Sequence, residues 1–132
     1  MIILDTAAAR ALASGHKTLN LLAGNMARTP GDSLRVPALC LLQAEAADDN
    51  ATQRLLAFSS VVVEPLDTVA SVTVGTMVRD GYGGADTCHA LYCALPRPEF
   101  TGMPILLTGD EDRYPLGGVA IDINSPGMLG FS

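Results

Sequence analysis

The strongest constraint on this chain is apolar sequence that does not alternate. Ile2–Asp5, Ser60–Glu64, Pro104–Thr108 and Val119–Ile123 are short aliphatic runs with no polar residue at every second place. Such a run has no solvent face, so it predicts a strand covered on both sides, as in a parallel sheet with helices on its faces. The stretches between the runs carry helical patterns: Thr6–Ser14, His16–Ala27, Val36–Asp49 with Pro37 at the first helical position, Ala51–Phe58 and Asp86–Leu95. Asp67–Arg79 is rich in valine, which favours a strand. The need for a crossover and a capping Asp67 predict a helix there instead. Alternating strands and helices predict a three-layer α/β/α domain around a parallel sheet of four or five strands. At 132 residues this is one domain, 1–132, with about 124–132 as a tail.

Two of the aliphatic runs end on acids. Asp5 follows Ile2-Ile3-Leu4, and Asp110-Glu111-Asp112 follow Ile105-Leu106-Leu107 after Thr108 and Gly109. In an open parallel sheet ligands lie at the carboxyl ends of the strands, so both acids belong at that end. Glu45 lies seven, four and three residues after Ala38, Leu41 and Leu42, which predicts a place on their apolar stripe. Asp86 projects from a helix apolar on nearly every side. A buried acid is costly without a partner. Four acids brought close repel one another unless a cation sits among them, and an oxygen-loving ion such as Mg²⁺ or Mn²⁺ meets that need. Each acid taken singly also has a plainer reading as a cap, a turn residue or an arginine partner.

The net charge of −6 argues against a general nucleic-acid coat protein. It leaves room for an enzyme that meets nucleic acid through a few arginines and a bound cation. Cys40, Cys88 and Cys93 form no CxxC pair and read as buried, reduced thiols of a cytoplasmic protein. No apolar run approaches the roughly 18 residues of a membrane span. The start "MIILD" lacks the basic region of a signal peptide.

In order along the chain, "MIILDTAAARALA", "VPALCLLQAEAA", "GGADTCHALYCAL" and "PILLTGDEDRY" resemble the four motifs of the PIN domain, the nuclease fold of VapC toxins in bacterial toxin–antitoxin pairs. The resemblance implies a metal-dependent ribonuclease that binds Mg²⁺ or Mn²⁺ through Asp5, Glu45, Asp86 and Asp110, with Thr6 and Asp112 in support. It implies hydrolysis of RNA to a 5′-phosphate and a 3′-hydroxyl, a homodimer, and a cognate antitoxin. The chain departs from the family pattern at Ala7, where Ser or Asn is frequent, and at Gly109, where a basic or polar residue is frequent. His89, one turn from Asp86, could shuttle a proton but reads better as a structural histidine, and Arg10 and Arg113 could contact phosphate but read better as solvated surface groups. Other families fit less well. A haloacid-dehalogenase-like phosphatase needs a second Asp where Ala7 stands, and a receiver domain needs a late lysine where the chain has only Lys17. The alternative from another class is a PIN-like protein without catalysis that acts by binding or regulation.

Overall fold

The computed structural model describes residues 1–95, 104–114, 120–125 and 128. Strands β1 (Ile2–Leu4), β2 (Leu34–Pro37), β3 (Val61–Glu64), β4 (Ile105–Thr108) and β5 (Ala120–Asp122) form one sheet in the order β3-β2-β1-β4-β5. Every pairing is parallel, and Ile2 at the centre lies opposite Leu34 on one side and Ile105 on the other. The neighbours Ile3 and Leu4 are both fully buried, as are Leu107 and Thr108. Consecutive strand residues point to opposite faces, so both faces of the central strands are covered. The fold is α/β with helices packed alongside the sheet, a topology consistent with the PIN domain.

The helices are α1 (Thr6–Ala13), α2 (Lys17–Ala27), α3 (Ala38–Ala47), α4 (Ala51–Leu56), α5 (Thr68–Arg79) and α6 (Ala85–Cys93). The valine-rich segment is helical, and Asp67 caps it by accepting from the Ala70 N–H at 2.8 Å. Its valines are divided by the helical turn: Val74 is buried, whereas Val69 and Val72 face solvent. Helix α3 packs on both α1 and α6, and α5 packs on α6.

One expectation needs correction. The helix predicted over Val36–Asp49 begins only at Ala38, because Leu34–Pro37 forms β2 between β1 and β3. Leu34 and Val36 are fully buried there, and Arg35 pairs with Glu64 of β3 across the ladder. Pro37 can end this strand and still precede the helix, since its fixed φ suits both roles. Met128, within 124–132, is buried in the core. Val119, Pro96, Pro98 and most of the tail lie outside the described residues.

Candidate active site

The strand order sets the location. From β1 the chain builds outward to β2 and β3, then returns to place β4 and β5 on the other flank of β1. The switch of direction therefore lies between β1 and β4, where open α/β sheets hold their ligands. Asp5 immediately follows β1, and Asp110 comes two residues after β4.

Asp5 is 3 % exposed and is held by three neutral donors. Its Oδ1 accepts from the Ala8 N–H at 2.9 Å, capping α1, and its Oδ2 accepts from the hydroxyls of Thr108 at 2.5 Å and Tyr114 at 2.8 Å. Burial, then the nearby charge and hydrogen bond of Asp5, push the Tyr114 hydroxyl well above its ordinary pKa, so it remains a donor. The next residue reaches a second acid: the Thr6 hydroxyl donates to Asp86 Oδ2 at 2.6 Å. Asp86 is half-buried in the first turn of α6, where Gly84 and not Asp86 is the cap. The Cys40 thiol lies between these acids and donates to the Asp86 carbonyl at 3.3 Å. Burial raises its pKa, and the charges of Asp5 and Asp86 act in the same direction. Asp5 and Asp86 are thus neighbours, joined through Thr6 and Cys40.

Asp110 reaches the same end of the sheet with its side chain turned outward. It is exposed, accepts from the Asp112 N–H at 3.1 Å to cap the 3₁₀ turn Glu111–Arg113, and lies 3.8 Å from Arg113. Asp112 is exposed, and among the described residues it meets Asp110 through that N–H. Gly109 makes the turn possible: a side chain there would place its Cβ 2.7 Å from the Ala7 Cβ. The two departures from the PIN pattern are therefore in contact.

Glu45 is not brought to this cluster. Helix α3 turns Cys40 and Ala44 inward, the small side chains that let it approach α1 and α6, while Leu42 is 56 % exposed. Glu45 lies on the exposed side and accepts from the Thr52 N–H at 3.0 Å at the start of α4. That backbone bond, followed by the Thr52 hydroxyl, lowers its pKa below the ordinary value. The predicted stripe fails because α3 is apolar on several sides, and residue size decides which side goes in. His89 is fully buried, and its Nδ1 accepts from the Leu39 N–H at 3.2 Å, tying α6 to the start of α3. Arg10 forms a surface pair with Asp48 at 2.7 Å.

Among the described residues no three His, Cys, Asp or Glu side chains are grouped to hold a metal. Three of the roughly four acceptor positions on Asp5 are filled by protein donors. This donor set does not fit an ion enclosed by protein ligands. Its chemistry suits a cation of the Mg²⁺ kind, which keeps several waters and takes one or two carboxylates together with substrate phosphate. Asp86, whose carboxylate meets only Thr6 among the described residues, is the acid open to such a role. Sequence reasoning passed over Thr108, Tyr114 and Cys40. They are groups that hold Asp5 and Asp86, and nothing local in the sequence marks partners that lie 103, 109 and 46 residues away.

No protein-family model, no curated protein and no solved structure matches this chain. Among the described residues no helix is long and apolar enough to cross a membrane.

Proposed function

We propose that this chain is a PIN-like ribonuclease of the VapC type that hydrolyses RNA phosphodiester bonds with Mg²⁺ or Mn²⁺. One observation carries the reading: Asp5 and Asp110 follow the two strands that flank the switch point, and Thr6 brings Asp86 beside Asp5. In this reading Asp86 and Asp5 hold the cation with Asp110 at the rim, and Glu45 and Asp112 lie outside the inner set. When bound, the ion would lower the pKa of a water and neutralise charge developing on the scissile phosphate. The chain's own part is positioning. Thr6 fixes the rotamer of Asp86, and Thr108 and Tyr114 fix that of Asp5. A homodimer and a small antitoxin partner belong to the same proposal.

The closed hydrogen-bond set around Asp5 favours a second reading, a PIN-like protein that binds without cutting. Cleavage of a mixed RNA pool, with Mn²⁺ or Mg²⁺ and with chelator, separates the two. Metal-dependent cutting that Asp5→Asn and Asp86→Asn each reduce by about a hundredfold or more supports the nuclease. No cutting by the wild type, together with no metal binding by calorimetry, supports the second reading.

A further inference from the structure

Helix α5 has the composition of a buried helix and a place on the surface. Thr68–Val78 holds four valines, a methionine and no charged residue. A helix without a polar face is ordinarily buried all round. Here α6 is its main support among the described residues, and only Ala70 and Val74 are buried. Val69 and Val72, 67 % and 66 % exposed, are the two most exposed large apolar side chains among the described residues. At about 100° per residue, Thr68, Val69, Val72, Gly75, Thr76 and Arg79 share one face, opposite Ala70 and Val74. Gly75 leaves a notch in that face, for a Cβ there would meet nothing within 4 Å.

The charges of α5 lie at its two ends. Asp67 caps the helix through one carboxylate oxygen, and the other makes no hydrogen bond among the described residues. Arg79, in the last turn, makes no ion pair or side-chain hydrogen bond among the described residues. Asp80 follows it but lies about 100° further round the helix. An acid at the start and a base at the end complement each other when two such helices lie antiparallel. The net charge of −6 makes two copies of the chain repel, so they can meet only on a face without uncompensated acids. The outward face of α5 meets that condition. A basic partner would find no acidic surface on it to recognise.

We infer that two copies of this chain meet on the outward face of α5, the helices packing antiparallel about a two-fold axis. The axis is level with Thr73 and Val74. Val72 of each copy fills the space over the partner's Gly75, and Arg79 meets the partner's Asp67. The small side chains let the helices come close, and the exposed ion pairs set direction and register more than strength. The inference gives the homodimer of the proposed function a face, but it rests on the surface of α5 and not on the nuclease reading.

The test is sedimentation velocity from about 1 to about 300 µM protein, a range suited to a contact smaller than the standard interface. The expected result is a reversible monomer–dimer equilibrium. Val72→Glu sets two like charges into the contact and should weaken dimerisation about a hundredfold. Leu42→Glu, at a comparably exposed position on α3, should leave it unchanged. Gly75→Gln separates folding from association. A better helix former than glycine should raise the thermal midpoint of the monomer. The same side chain occupies the space of the partner's Val72 and should weaken dimerisation about tenfold. The three native cysteines are buried. Under mild oxidation, a mixture of Val72→Cys and Gly75→Cys chains should therefore cross-link more than either chain alone. A chain that stays monomeric throughout overturns the inference, as does a dimer that Val72→Glu leaves intact. Unchanged dimerisation of Gly75→Gln, or equal cross-linking in single and mixed samples, overturns the antiparallel register. RNA cleavage is assayed separately, so loss of the nuclease reading leaves this face standing and loss of the face leaves that reading standing.

Discussion

Tyr114→Phe removes one oxygen from a place where water has almost no access. Asp5 would keep the Thr108 hydroxyl and the Ala8 amide and lose its third donor. Loss of a hydrogen bond to a buried carboxyl costs about 1–3 kcal/mol. Urea unfolding of this variant should show that loss with an unchanged slope, and an unchanged midpoint would mean that the bond contributes nothing. The same bond explains what was readable at this scale. Asp5 could be placed from the sequence because an acid ending an aliphatic strand has few positions to occupy. Glu45 was misplaced because Ala38, Leu41 and Leu42 are as apolar as Cys40 and Ala44, and only the crowding of three helices selects the smaller pair. Hydrophobic spacing carries no information about that crowding.

Where elements meet, the contact between α1 and the turn after β4 is the most sensitive to size. Gly109→Ala would drive its new methyl to 2.7 Å from that of Ala7, well inside van der Waals distance. Overpacking of this kind costs about 1–3 kcal/mol. Ala7→Gly in the same chain removes the clash at the smaller cost of a glycine in the first turn of a helix, at most about 1 kcal/mol. The double variant should therefore be more stable than Gly109→Ala alone in thermal unfolding. Additive losses would show that the turn yields without touching α1. The elements themselves were largely legible, since the aliphatic runs and the helical spacings survive in the structure. Strand β2 was not. Leu34–Pro37 is as long as β3 and β4, but Arg35 interrupts its apolar run and Pro37 reads as a helix start, and its burial comes from β1 and β3 on either side.

Across the whole molecule, continuous hydrophobicity foretold a parallel sheet, but strand order is a property of the complete chain and no single run contains it. The order found places β1 at the centre, beside a strand that begins about 100 residues later. The groups around Asp5 and Asp86 inherit this separation: Thr108 is 103 residues from Asp5, Tyr114 is 109, and Asp86 is 80 from Thr6. Closing such long loops is entropically costly before any contact rewards it, so distant pairings form slowly. Contacts of α5 with α6, or of β2 with β3, span far shorter loops. In pulse-labelled hydrogen exchange during refolding, the α5 and α6 amides should gain protection before Asp5, whose N–H bonds the Leu107 carbonyl at 3.1 Å. Simultaneous protection would show one concerted step. A late Asp5 would mean that partly folded chains, although rich in helix, carry no assembled acids until the last strands close on the first.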